Sequence, residues 1–235
     1  MDDIFIQSDL SRTLNRISSV GYHEFYIGKT AGLIAKCMRR TKGIITLTDL
    51  FNYTPVERKP IEFSYKDHTV YSMPPPSSGG ICLAEILNQI EQMDIGSFGY
   101  HSSAHIQSMV EAEKRAYSDR AEYMGDADFV NVPVKTLISD KYAQERISDY
   151  DPNNILSSSE IKPGLEASQV ESEETTHYSV VDRWGNAVSV TTTLNGWYGN
   201  GITVDDAGFL LNNEMDDFSI KPGHPNAYGL VGNEA

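Results

Sequence analysis

Where the acidic run ESEE meets TTHYSVVD, the bond between Glu174 and Thr175 joins a carboxylate-rich stretch to a threonine with the makings of a nucleophile. A hydroxyl attacks poorly unless a base accepts its proton. An N-terminal threonine carries such a base on its own backbone, an α-amino group with an unperturbed pKa of ~7.7–8.0, near working pH. That amine exists only after the preceding peptide bond is cut. The expected route is attack by the Thr175 hydroxyl on the Glu174 carbonyl, transfer of the acyl group from nitrogen to oxygen, and hydrolysis of the ester by water. Precursor cleavage and turnover then share one nucleophile. By itself a Thr-Thr pair also reads as an ordinary β-branched strand start, so the neighbours carry the argument.

Side chains alternate along a strand, so Thr193 and Asn195 project to one side if the second strand continues that far, setting a hydroxyl and an amide beside the nucleophile. Further on, Glu214, Asp216 and Asp217 cluster. Such a group reads as a solvated loop or helix start. Its spacing departs from the D-x-[DN]-x-[DN]-G calcium loop. Neither His177 nor any other histidine is needed by the threonine chemistry. Cys37 and Cys82 fit no metal or redox spacing and read as buried free thiols. The run PPPSSGG, Pro74 to Gly80, lacks the GK[ST] ending and the G-x-G-x-x-G spacing of phosphate loops, and reads as a rigid strand-to-helix corner.

Elements of both periods must position these residues. From Ser8 to about Tyr53 the pattern is helical, with Leu10, Leu14 and Ile17 before an interruption at Gly21 and Ile34, Ala35 and Met38 after it. Thr46 with Asp49 marks another short helix. IEFSY and HTVYSM flank Lys66-Asp67 as two strands around a tight turn. ICLAEILNQI comes next as an apolar helix whose first turn Ser77 or Ser78 is placed to cap. In the long helix after it, Ile106, Met109, Val110, Ala116, Tyr117 and Met124 form an apolar stripe, with Glu111, Lys114 and Arg115 expected to face water. From Asp151 to Glu174 the chain reads as a mobile acidic connector. THYSVVD and AVSVTTTL, around Arg183-Trp184-Gly185-Asn186, are the clearest strand pair and look buried.

With 33 acidic against 19 basic residues and a formal net charge of -14, the chain would be repelled by phosphate backbones and anionic lipid. Nucleic-acid binding and direct membrane contact are therefore not expected. No apolar run approaches the ~20 residues of a membrane span, and no secretory leader is visible. At 235 residues and 40% hydrophobic, the sequence suits one globular unit or a large piece of one.

Taken together, TTHYSVVD, TTTLNGWYGNGI, GFLLNNEMDDFSIKPG and PNAYGLVG resemble the start of the small subunit of γ-glutamyltransferase. YSMPPPSSGGI, EAEKRAYSDRAEYMGD and NVPVKTLIS resemble the second half of that family's large subunit. The resemblance runs in order from about Ser8 to Gly232. It implies an α+β, N-terminal nucleophile hydrolase fold: a four-layer αββα sandwich, incomplete in this chain. Residues 1–174 would form the C-terminal half of the large-subunit region and 175–235 the start of the small one, together part of one domain.

By position the resemblance makes Thr175 the nucleophile and Thr193 the threonine whose hydroxyl supports it. It makes Asn195, Glu214 and Asp217 the residues that hold the amino-acid end of a γ-glutamyl group. Carboxylates suit a donor's α-ammonium, since charge-assisted contacts are about twice as strong as neutral ones. Residues 221–233 resemble a lid loop, with Tyr228 bonding to Asn195; the alternative is an ordinary surface turn. No cofactor or metal is implied. Implied partners are a γ-glutamyl donor such as glutathione, an amino-acid, peptide or water acceptor, and two subunits from one precursor. Implied placement is periplasmic, secreted or extracellular-facing.

The family's carboxylate-binding arginine has no match here and is expected before Met1. Its serine pair and oxyanion-hole glycines are expected after Ala235. Losing one oxyanion donor can cost ~10²–10³ in rate, so these residues alone are expected not to turn over substrate. The alternatives are a related N-terminal-threonine acylase or poly-γ-glutamate-processing enzyme, and a non-catalytic remnant acting as a binding or assembly module.

Overall fold

The computed structural model describes residues 4–164 and 176–217, together with 221 and 224; the side chain of Asp217 is outside the description. These residues fall into two compact units that interleave along the chain. One comprises the described residues up to Val56 and those from Thr176 to Asp217; the other comprises those from Glu57 to Gly164. Compactness thus groups the chain differently from the division at the 174–175 bond, which concerns covalent processing.

In the first unit, helices α1 (Ser8–Val20), α2 (His23–Tyr26), α3 (Lys29–Thr41) and α4 (Leu47–Asn52) obey the 3.6-residue pattern. Gly21 stops α1 with a φ of 84°, a left-handed value that a side chain would resist, and its N–H donates to the Ile17 carbonyl. The expected capping box at α4 is present: Thr46 and Asp49 each bond the other's backbone N–H. Ile34, Cys37 and Met38 on one face of α3 pack against Val204 and Ala207. Those two residues belong to a small antiparallel pair, β5 (Thr203–Val204) with β6 (Phe209–Leu210), and the turn between them. Thr13 of α1 donates to the Ala207 carbonyl at 2.8 Å, tying the helices to that turn. The segment that leads into Glu214 is therefore anchored on a packed helix.

Strands β3 (Thr176–Val181) and β4 (Ala187–Thr192) pair antiparallel from Thr176↔Thr192 to Val181↔Ala187, as the alternation implied. The expectation of burial is corrected. Tyr178, Val180 and Val188 share one face of this ribbon, yet each is at least half exposed. Alternation specifies which face is apolar; burial requires a second layer on that face, and the described residues supply none. The stacked sheets of a four-layer sandwich are likewise not among the described residues, which form three separate two-stranded sheets.

In the second unit, β1 (Ile61–Tyr65) and β2 (His68–Ser72) form the expected hairpin, with Lys66 at a φ of 50° in its turn. Helix α5 (Gly79–Gln92) starts at the proline corner. A methyl group at Gly80 would lie 2.2 Å from the Met73 carbonyl oxygen, so the corner needs glycine for close approach. Of the two serines expected to cap the first turn of α5, Ser77 accepts the Gly79 N–H at 3.3 Å and the Ser78 alternative is corrected. Ser78 occupies the N-cap position in helical conformation with no cap bond, and its hydroxyl accepts from Arg120 Nε at 2.5 Å. Packed against α5 are α6 (Ser103–Tyr123), α7 (Val134–Leu137) and α8 (Asp140–Arg146). Ile61, Phe63, Ile81, Ala84, Leu137 and Tyr142 form one core, and Ile90, Met93 and Ala112 another.

The face of α6 assigned to water is also corrected. Glu111 and Arg115 are each 1% exposed, whereas Ile106, Val110 and Tyr117 are exposed. Arg115 donates to the Glu111 carboxylate at 2.6 Å, to Asp149 at 2.7 Å and to the Arg146 carbonyl at 2.9 Å. Complete pairing lets this guanidinium sit inside, because an unpaired buried charge is costly. Cys37 and Cys82 are free and buried as expected, and burial pushes the Cys82 thiol up to about 12. Among the described residues, no helix is long and apolar enough to cross a membrane.

Candidate functional site

Strand β4 ends at Thr192 and gives way to a turn, so strand alternation does not bring Thr193 and Asn195 together. The Thr193 hydroxyl accepts the Asn195 backbone N–H at 2.8 Å, a local bond that competes with strand continuation. Asn195 has a φ of 66°, the left-handed region that asparagine tolerates better than most residues. The expected strand continuation is therefore corrected to a turn, in which the Thr193 hydroxyl meets the Asn195 backbone and the Asn195 amide reaches Asn213.

From this turn the chain crosses to the segment that carries the carboxylates. Asn195 Nδ2 donates to the Asn213 carbonyl at 3.0 Å, the Asn213 N–H donates to the Leu194 carbonyl at 3.0 Å, and the Gly196 N–H donates to Asn213 Oδ1 at 2.8 Å. Nearby, the Asn200 N–H donates to the Leu211 carbonyl, and a methyl group at Gly199 would meet that oxygen at 2.0 Å. Two segments close in sequence number but folded apart are thereby stitched backbone to backbone. Glu214–Asp217 then forms a short 3₁₀ turn whose first N–H donates to Asn212 Oδ1 at 3.0 Å. The Glu214 side chain is exposed.

The structure thus brings Thr193 and Asn195 next to the start of the 214–217 turn. Thr175 and Tyr228 lie outside the described residues, as do the side chain of Asp217 and all but residues 221 and 224 of the lid resemblance. Asn213 was not singled out from the sequence. The only signal for it was its chemistry, since an amide both donates and accepts and so can bridge two segments.

On the polar face of the β3–β4 ribbon, His177 Nδ1 lies 2.8 Å from Thr191 Oγ1, and its Nε2 lies 3.0 Å from Ser189 Oγ. These cross-strand bonds pair the hydroxyls with a ring nitrogen and hold the ribbon's open end. At its closed end, Asp182 accepts the N–H groups of Trp184 and Asn186, each at 2.9 Å, and Asn186 Nδ2 at 2.8 Å. The Asn186 amide, with these backbone N–H groups, holds the Asp182 carboxyl below the usual carboxylate range.

In the second unit, burial and the Asp119 charge push Glu85 well above the usual range, against a smaller opposing effect of Arg146. Neither Glu85 oxygen has a hydrogen-bond partner among the described residues. Asp119 itself accepts from Tyr142 OH at 2.9 Å, Arg146 Nε at 2.8 Å and the Gly164 N–H at 2.7 Å. These bonds tie α6 to α8 and make the group a packing cluster. An open hollow of about 340 Å³ lies instead along Met38, Gly43, Ile44, Ile45 and Leu47, and none of the site residues lines it. Among the described residues, no group of three or more histidine, cysteine or acidic side chains could hold a metal.

Residues 1–235 match the family described as Gamma-glutamyltranspeptidase. Over 233 residues, 99% of the chain, the sequence is 51% identical to a glutathione hydrolase proenzyme of Escherichia coli, covering 40% of that protein. It is 37% identical over 218 residues, 93% of the chain, to an acylase proenzyme of a Pseudomonas species, covering 38% of it. Among solved structures, the γ-glutamyltranspeptidase of Helicobacter pylori superposes with a TM-score of 0.66 and 45% identity, over 73% of this chain and 49% of that one. The chain spans about 40% of the length of these curated relatives.

Proposed function

The chain belongs to the gamma-glutamyltranspeptidase family and has its α+β, N-terminal nucleophile hydrolase class of fold, and from that premise we propose that it carries the nucleophile of a γ-glutamyl-transferring enzyme. The donor is a γ-glutamyl amide of the glutathione type. The protein is made as one precursor, which Thr175 divides after Glu174 into segments 1–174 and 175–235 of this chain. The Thr175 hydroxyl then attacks the donor's γ-carbonyl, its own α-amine takes the hydroxyl proton, and the amide nitrogen leaves as an amine with a proton returned to it. A γ-glutamyl-threonine ester remains. Water opens it in hydrolysis; an amino acid or peptide amine opens it in transfer.

Thr193 supports the nucleophile. Thr193 directly follows Thr192, the last residue of β4, which pairs with Thr176. Its hydroxyl accepts the Asn195 backbone N–H at 2.8 Å, which fixes it at the start of the turn. Asn195, Glu214 and Asp217 hold the donor's amino-acid end, the carboxylates taking its α-ammonium, and Tyr228 closes over it through Asn195. The observation that carries this reading is the bond from Asn195 Nδ2 to the Asn213 carbonyl, immediately before Glu214, which joins the two halves of the glutamyl reader. Periplasmic, secreted or extracellular-facing placement belongs to the same reading.

The test is intact mass and γ-glutamyl-p-nitroanilide turnover of the protein expressed from its complete gene. Wild type is expected to separate after Glu174 and to release p-nitroaniline. Thr175→Ala is expected to leave the precursor whole and lower turnover on the order of 10³-fold or more. A wild type that never separates, or a Thr175→Ala variant that still turns over, overturns the reading. The Pseudomonas likeness favours acylase chemistry as the second reading. Turnover of a cephalosporin side-chain donor, with none of glutathione, would establish that reading instead.

A further inference from the structure

Among the described residues of the proposed site, Asn213 spans its two segments with both backbone and side chain. Its Oδ1 accepts the Gly196 N–H at 2.8 Å, its carbonyl accepts from Asn195 Nδ2 at 3.0 Å, and its N–H donates to the Leu194 carbonyl at 3.0 Å. In the other direction, Asn213 Nδ2 donates to Asp216 Oδ2 at 2.9 Å. The side chain is half-buried, and Gly196 lies so close that an added methyl group would stand 3.2 Å from Asn213 Oδ1. One planar amide therefore links the Thr193–Gly196 turn to the 214–217 turn, beside two bonds through the Asn213 backbone.

We propose that Asn213 is the positioning residue that sets the spacing between Asn195 and the Glu214–Asp217 turn, and so determines how tightly the amino-acid end of a γ-glutamyl donor is held. This rests on the function proposed above. The amide is required because each end faces a group of fixed character: a backbone N–H needs an acceptor, and a carboxylate needs a donor. An aspartate at 213 would keep the first bond and turn the second into a contact between two carboxylates. An alanine would lose both.

The arrangement predicts a rescue. Exchanging the two groups, with Asn213→Asp and Asp216→Asn together, again gives an acceptor for Gly196 and a donor-acceptor pair between 213 and 216. In the protein expressed from its complete gene, Asn213→Asp is expected to separate after Glu174 as wild type does. Its KM for γ-glutamyl-p-nitroanilide is expected to rise about tenfold or more, with kcat within about threefold. The double exchange is expected to bring KM back to within about threefold of wild type. Unchanged KM in Asn213→Asp, an equal fall in kcat, or failure of the double exchange to restore KM would overturn the proposal. A parallel measurement on the same protein tracks the Gly196 amide by hydrogen exchange. Asn213→Ala is expected to speed it about fivefold or more, as loss of one ordinary hydrogen bond implies; an unchanged rate would also overturn the proposal. A wild-type enzyme without γ-glutamyl turnover would sink the proposed function and, with it, the substrate-holding role, while the exchange rate separately decides whether the latch exists.

Discussion

Asp182 shows how much one short side chain can organise. It accepts three N–H groups from Trp184 and Asn186 and so closes the β3–β4 turn, which the strand pattern on either side of Arg183-Trp184-Gly185-Asn186 had marked as a turn. Its pKa is depressed by the Asn186 amide and the neighbouring backbone N–H groups. A depressed acid contributes stability that is present above its unfolded value of ~3.9 and lost as pH falls through the folded one. Carboxyl NMR titration is expected to place Asp182 below that unfolded value, and Asp182→Ala should remove the acid-limb loss of ribbon protection. A titration at the unfolded value would refute this. The same scale explains Thr193 and Asn195: their types were readable as candidates for a site, but the 2.8 Å bond that turns the chain between them was not, because a threonine hydroxyl serves a strand or a turn equally well.

At the scale of elements, helix periodicity located α1, α3, α5 and α6, the Thr46/Asp49 pair located α4, and alternation located the β1–β2 and β3–β4 hairpins. It misassigned the faces of α6. Glu111 and Arg115 lie one turn apart, which on an isolated helix describes a solvated ion pair. Inside this fold the pair is dry, since Asp149 and the Arg146 carbonyl complete the guanidinium's bonds from a distant part of the chain. Glu85 on α5 is the opposite case, a buried carboxyl with no hydrogen-bond partner among the described residues. Its raised pKa means that stability is fully present below the unfolded value of ~4.3 and is lost as pH rises through the folded value. Glu85→Gln removes that ionisation. The variant is expected to be more stable than the parent at about pH 8, and the difference should shrink toward about pH 5. Urea denaturation at both values would check this, and a difference independent of pH would refute it.

For the whole molecule, a net charge of -14 sets a uniform repulsion that no single contact reports. Raising sodium chloride from about 0.01 to about 0.15 M shortens the screening length from ~30 to ~8 Å. The thermal midpoint is therefore expected to rise by about a few degrees; a midpoint that is flat or falling would show that paired charges dominate. Long-range packing is a second property of this scale. Ile34, Cys37 and Met38 meet Val204 and Ala207 from the far end of the chain, a union that local pattern cannot announce.

Sequence alone determined most of the elements, both hairpin turns and the residue types proposed for the site. Periodicity, glycine and proline preference and functional-group chemistry are local properties, readable within a few residues. Tertiary structure alone decided which faces are covered, that Arg115 is inside, and that Asn213 joins the Thr193–Gly196 turn to the carboxylate turn. Coverage and cross-segment hydrogen bonds depend on what arrives from elsewhere in the chain, and a residue's neighbours in sequence do not specify its neighbours in space.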